Sequence, residues 1–258
     1  MPQRSVKTTF SSAQGDTLAA RIELPEQEDP RAYALFAHCF TCSKDIPAAS
    51  RISRELASRG YAVLRFDFTG LGASEGEFEN TNFSSNVDDL VAAADHLRNE
   101  FRAPELLVGH SLGGAAVIAA SPRIPEVKAV STIGAPADPG HLQHMLTEAV
   151  TQIETEGEAM VDLAGRCFRI KRQFLEDIRR SSLDEILKKM RQALLVMHAP
   201  TDSTVGISNA RHIYDTANHP KSFLSLDSAD HLLSKSRDAS YAAGVLASWA
   251  ERYLPEHA

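Results

Sequence analysis

The stretch "LLVGHSLGG" holds a serine with a glycine two positions away on either side, Gly109-His110-Ser111-Leu112-Gly113. It lies between a strand-like run and the small-residue helix "GAAVIAAS", the setting in which a strand-to-helix turn presents a strained, exposed hydroxyl. A serine hydroxyl is a poor nucleophile until a base takes its proton, and the base needs an acid to fix its tautomer. Both partners are expected downstream. "LLVMHAPTDSTV" puts Asp202 just past one strand and "FLSLDSADHLLS" puts His231 just past the next, giving the order nucleophile, acid, histidine. Asp227 and Asp230 are rival orienting acids, and His198, His212 and His219 are rival bases. The oxyanion of a tetrahedral intermediate needs two backbone N–H donors, each worth about 3 kcal/mol. Leu112 is expected to supply one and Phe40, in the loop after the first parallel strand, the other.

That loop, "HCFTCSKD", also carries Cys39 and Cys42 in a Cys-x-x-Cys. Three readings stay open: two small buried residues, a redox pair able to reshape the oxyanion loop, or half of a zinc site. No second ligand pair has suitable spacing for zinc, and Cys167 stands apart. Asp67 in "FDFTGLGAS" reads as a residue that fixes loop backbone rather than a reacting acid. Phe40, Leu112, Val205 and Leu232 flank the reactive positions and are expected to line an apolar acyl pocket. No metal or organic cofactor is implied.

These residues need a scaffold that brings distant segments to one edge. "VKTTF" and "LAARIEL" alternate as a hairpin, after which apolar runs recur at Ala32 to Ala37, Tyr61 to Phe66, Leu106 to Gly109, Ala129 to Ile133, Leu194 to His198 and Ser222 to Leu226. Helical periodicity separates most of them, the βαβ rhythm of a parallel sheet covered on both faces. A first helix carries Ile46, Ala49, Ile52 and Leu56 behind Asp45 as cap, with Pro47 in the first turn. A second carries Phe83, Val87, Leu90, Val91, Ala94 and Leu97, and a last one Tyr241, Val245, Leu246, Trp249 and Tyr253, each stripe expected to face the core. From Ala137 to about Arg191 an insertion of roughly fifty residues exceeds a usual crossover. It is expected to form a small cap: a helix over Leu142, Met145, Leu146, Ala149 and Ile153, a hairpin turning at Ala164 and Gly165, and a helix with Ile186, Leu187 and Met190 behind a Ser182–Glu185 capping box.

The 258 residues are 43% apolar and 24% charged, which suits one globular domain with a real core. A net charge of −7 argues against a nucleic-acid partner, and no run is long enough to span a membrane or open a leader peptide, so a cytoplasmic location is expected. Three cysteines give no disulfide framework. No repeat or linker divides the chain.

Taken together, "AHCFTCSKD", "RFDFTGLGASEG", "NFSSNVDDL", "GHSLGGAA" and "IGAPADP" make the chain resemble the α/β-hydrolase superfamily from end to end. It is most similar to the hydrolase part of bacterial proteins that join an α/β hydrolase to an OsmC-like domain. The resemblance implies a mostly parallel eight-stranded sheet with helices on both faces and a small inserted cap. It also implies carboxylesterase activity on small or medium acyl esters, and the cap hairpin is similar to that of cinnamoyl and feruloyl esterases. Cys39 and Ala199 depart from the family, which commonly has glycine there. The implied partner is a small-molecule ester; the sequence departs from the fused pattern in ending at "LASWAERYLPEHA", and both an OsmC-like domain in the full-length protein and a homodimer are left open. The same machinery could run thioester or amide hydrolysis or a cofactor-free perhydrolase reaction, and from another class a redox-sensing or interaction module could keep the fold.

Overall fold

The computed structural model describes residues 4–26, 29–39, 41–163 and 165–254. Strands β1 (Arg4–Ser11) and β2 (Thr17–Leu24) form the expected hairpin, and β3 (Ala32–Ala37) opens the parallel part of the sheet. Then follow α1 (Pro47–Ser58), β4 (Tyr61–Phe66), α2 (Phe83–Glu100), β5 (Leu106–His110), α3 (Leu112–Ala120) and β6 (Ala129–Ile133). The insertion holds α4 (Thr147–Glu156), β7 (Glu158–Leu163), β8 (Arg166–Lys171), α5 (Arg172–Arg180) and α6 (Asp184–Lys189). The chain closes with β9 (Ala193–His198), α7 (Ser208–Thr216), β10 (Lys221–Ser225) and α8 (Ser236–Ala250). The eight-stranded sheet has the order β1-β2-β4-β3-β5-β6-β9-β10, with β1–β2 and β2–β4 antiparallel and the remaining pairs parallel.

Continuous burial along β3, β4, β5, β6 and β9 follows from cover on both faces. Alternate residues divide between two cores. Tyr33, Leu35 and Ala37 join α2, α3 and the insertion, while Ala32, Ala34 and Phe36 join α1 and α8. Each fully buried leucine, such as Leu56 or Leu90, contributes about 2 kcal/mol of transfer free energy. Helix α2 starts at a reciprocal cap, in which Asn82 Oδ1 accepts from Ser85 N (2.8 Å) and Asn82 N donates to Ser85 Oγ (2.9 Å).

Four local expectations are corrected. Asp45 does not cap α1, whose N-cap is Ile46 ahead of Pro47; the Asp45 carboxylate instead accepts from Arg65 Nη1 at 2.6 Å. The first insertion helix is broken into a 3₁₀ turn, Pro139–Met145, and α4, because Asp138 Oδ1 takes Gly140 N at 2.6 Å and starts the turn early. Ser182 and Glu185 form no capping box; Glu185 pairs with Lys188 and Lys189 instead. Finally, α8 turns Ala239, Ala242, Ala243, Leu246, Ala247 and Ala250 inward; of the expected stripe Leu246 is buried and Trp249 and Tyr253 pack half-buried against that core, while Tyr241 is 54% exposed and leaves it.

The insertion lies between β6 and β9 and is anchored on the start of α2. Asp177 of α5 accepts from Ser84 N and Oγ (2.8 and 2.6 Å), and Asn82 Nδ2 donates to Gln173 Oε1 (2.6 Å). The β7–β8 hairpin forms as expected; Ala164 at its turn lies outside the described residues. Helix α5, not anticipated, buries Phe174, Leu175 and Ile178.

Candidate active site

Ser111 is the single residue between β5 and α3, at φ 55° and ψ −128°. Left-handed φ is uncommon for a side chain with a Cβ and marks stored strain. Small neighbours make the turn possible: a Cβ on Gly109 would run into the backbone of Gly113 and Gly114, and one on Gly113 into the carbonyls of Ala37 and His38. Ser111 N donates to Ile133 O at 2.8 Å, fixing the turn to β6. Leu112 opens α3, so its N–H is among those a helix leaves without an internal acceptor.

The three segments predicted from sequence meet here. His231 Nε2 lies 3.0 Å from Ser111 Oγ, and His231 Nδ1 lies 2.7 Å from Asp202 Oδ2. The other oxygen, Asp202 Oδ1, accepts from Thr204 N and Val205 N, both at 2.9 Å. Burial alone would push the Asp202 carboxyl up, but the bond from His231, the Val205 N–H and the adjacent imidazole outweigh it and hold the group below the usual carboxylate range. Gly134, at φ +57°, runs beneath this pair: a Cβ there would lie 3.3 Å from His231 Nδ1 and 3.4 Å from Asp202 Oδ2.

The rivals make other contacts or lie exposed, although His198 Nε2 is also 3.7 Å from Asp202 Oδ2. Asp227 accepts from Ser225 Oγ (2.6 Å) and Asp230 from Ser234 N (2.8 Å), while His212 meets Asp184 (2.8 Å) and His219 is exposed. His198 is buried and directs Nε2 at Val205 O (2.7 Å). Of the expected pocket residues, Leu112 and Val205 are buried and Leu232 is 52% exposed. Phe40, the second expected oxyanion donor, lies outside the described residues.

Sequence reasoning missed the frame behind the loop after β3. Asp67, fully buried, accepts from Lys44 N and Lys44 Nζ, both at 2.6 Å, and from Ala73 N at 2.9 Å. Arg65 donates to Lys44 O (2.6 Å) and pairs with Glu23 (2.7 Å). Asp67 thus fixes backbone, as its place before a Gly-rich turn suggested. Cys39 and Cys42 are joined in a disulfide, with Cα atoms 5.4 Å apart and Cys42 N donating to Cys39 O at 3.1 Å. The cap hairpin reaches this loop through Arg166 Nη1 and Thr41 O (3.1 Å). Cys167 is free and exposed. Among the described residues no group of three His, Cys, Asp or Glu side chains is placed to hold a metal ion, and no helix is long and apolar enough to cross a membrane.

A mostly parallel eight-stranded sheet with a Gly-x-Ser-x-Gly turn between a central strand and its following helix is that of an α/β hydrolase, an enzyme of the hydrolase type. The chain belongs to the Hydrolase_4 family, described as serine aminopeptidase, S33, whose profile matches residues 28–169. It is 54% identical to the esterase domain of a Rhodothermus marinus protein, covering 99% of this chain and 100% of that one with a TM-score of 0.81. Over 77 residues it is 38% identical to the mitochondrial palmitoyl-protein thioesterase ABHD10 of Homo sapiens, a match that takes in 30% of this chain and only 24% of that protein. Est1E of Butyrivibrio proteoclasticus, solved with ferulic acid, shares the fold at 16% identity, with a TM-score of 0.79 over 96% of this chain and 99% of that one.

Proposed function

We propose that the protein hydrolyses carboxylic esters of small to medium acyl chains through an acyl-enzyme on Ser111. The observation that carries the reading is the continuous relay from Ser111 Oγ through His231 to Asp202, at 3.0 and 2.7 Å. Ser111 Oγ attacks the ester carbonyl as His231 Nε2 takes its proton; Asp202 holds the ring with Nδ1–H toward itself and stabilises the imidazolium. The N–H groups of Leu112 and Phe40 receive the oxyanion. Collapse breaks the acyl–oxygen bond, and His231 returns the proton to the departing alcohol. Water then attacks the acyl-enzyme with His231 again as base, releasing the acid and restoring Ser111. The 54% identity to an esterase domain supports the choice of ester.

The test is turnover of p-nitrophenyl esters from acetate to decanoate beside Ser111→Ala, together with fluorophosphonate labelling. The expected result is chain-length-dependent hydrolysis and labelling that both vanish in the variant. Equal rates in the two proteins would sink the reading. The match to a palmitoyl-protein thioesterase favours one second reading, thioester cleavage by the same relay. A palmitoyl thioester turned over faster than every oxygen ester would establish it.

A further inference from the structure

Two buried imidazoles beside the relay have no role in the chemistry above. His110 is the last residue of β5 and His198 the last of β9, and their exposures are 1% and 0%. His110 Nε2 lies 2.7 Å from the main-chain carbonyl of His231, 121 residues away, and its ring centroid is 5.2 Å from that of His231. His198 Nε2 lies 2.7 Å from Val205 O, the carbonyl of a residue whose N–H binds Asp202 Oδ1. A carbonyl oxygen can only accept, so each Nε2 carries the proton. Each Nδ1 is buried without a hydrogen-bond partner among the described residues, so a second proton there would be an unsatisfied buried cation. Burial accordingly drives His110 down to about 4 and His198 below the usual histidine range.

We propose that His110 and His198 are positioning residues, which fix from the sheet the backbone of the two loops that present His231 and Asp202 to Ser111. The inference rests on the hydrolase reading above. A strand end is rigid and a loop is not, so a donor rooted in β5 or β9 transfers the order of the sheet to the reacting atoms. Each ring grips a point where its loop would otherwise be free to shift: the carbonyl of the base itself, and the end of the turn that closes around the acid. Displacement of a reacting group by about 1 Å can cost on the order of 100-fold in rate.

The experiment compares His110→Phe, His110→Gln, His198→Phe and His198→Gln with wild type in p-nitrophenyl ester kinetics, fluorophosphonate labelling rate and thermal melting. Phenylalanine keeps a ring and loses the donor; glutamine carries an amide N–H toward the same point. Folded Phe variants are expected to lose roughly 10- to 100-fold in kcat and labelling rate at unchanged KM, with the Gln variants recovering most of it. A merely space-filling role would lower the melting temperature of all four and leave the kcat of folded protein alone, which would overturn the inference. If the Phe variants do not fold, the Gln variants and ¹⁵N NMR of the wild-type imidazoles decide: both rings must be Nε2-protonated with bare Nδ1, and an Nδ1–H tautomer in either refutes the assigned bond. Correct tautomers in a protein inert to every ester and to fluorophosphonate would mean that the hydrolase reading, and the positioning role with it, has failed. Active protein with the wrong tautomers would fail the positioning role alone.

Discussion

At the scale of single residues, Gly134 shows how narrowly the relay is framed. Its φ of +57° is one that side-chain-bearing residues adopt at a cost of about 1–2 kcal/mol, and the place where a Cβ would go is already bounded by His231 and Asp202. Gly134→Ala is therefore expected to act twice. The melting temperature should fall by about 2–4 °C for each kcal/mol lost. The kcat should fall by roughly tenfold or more, because the methyl sits against the hydrogen bond that orients the base. Ester kinetics and a thermal melt on the same preparation check both; a variant with unchanged kcat would mean that the His231–Asp202 pair has slack the structure does not show. Ser111, His231 and Asp202 were legible as candidates in the sequence because such chemistry would demand those types in that order, and the structure brings the three side chains within hydrogen-bond distance. Gly134 was not, since "IGAPADP" shows a glycine but not what runs above it. Nor were His110 and His198, whose partners are carbonyls that every residue possesses and no pattern reveals.

At the scale of elements, the loop after β3 is held from both ends. Lys44 and Asp67 clamp its exit, and the carbonyls of Ala37 and His38 lie against Gly113 at its entry. The Cys39–Cys42 disulfide closes a small ring between them, around the segment whose N–H is assigned to the oxyanion. Reduction by a dithiol yields two thiols and releases that ring, while the clamps on either side stay. Dithiothreitol is thus expected to lower wild-type kcat severalfold with little loss of thermal stability, and peroxide to restore it. Cys39→Ser/Cys42→Ser should sit at the lower rate under all conditions, and an identical response of the two proteins would end the idea of a redox-sensitive loop. Strands were readable throughout because cover on both faces leaves unmixed apolar runs. Helix faces were read less well. In α8 the large aromatic residues suggested the core side, but the helix lies against α1 and the sheet through alanines that permit close approach. Trp249 and Tyr253 pack half-buried at the margin of that core, where Trp249 Nε1 donates to Ser222 Oγ at 3.1 Å, and Tyr241 turns outward. Asp45 and Ser182 failed as caps for a related reason: a cap signal is local, and Arg65, far along the chain, offered Asp45 a charged partner instead.

At the scale of the whole molecule, the buried ionisable groups set how stability depends on pH. Burial lowers the imidazoles of His38, His96, His110 and His198, so each contributes stability that is fully present above 6.5, the value for an unperturbed histidine. That stability is lost as pH falls, because the unfolded chain takes up protons that the fold refuses; for His110 the loss runs from 6.5 to about 4 and is on the order of 3 kcal/mol. Asp89 works the other way. Burial raises it to about 6 despite its bonds from Thr69 N and Oγ1, so the fold holds a proton that the unfolded carboxylate has released, and its contribution is lost as pH rises from 3.8 through 6. Its magnitude, again on the order of 3 kcal/mol, offsets about one histidine. Three lowered imidazoles remain unopposed, and the depressed carboxyls of Asp202 and Asp45 add stability that is lost only at still lower pH. The urea midpoint is therefore expected to be highest at neutral pH and to fall steadily between 6.5 and 4, without loss of the slope that reports the surface exposed on unfolding. His110→Gln removes one of the four titrations and should flatten that fall even though it lowers the midpoint at pH 7.5. A midpoint that rose on acidification would require the imidazoles to be charged in the fold. The bonds that His110 and His198 make from Nε2 and His38 from Nδ1 would survive that, but the other ring nitrogen of each would then need an acceptor where none is placed among the described residues.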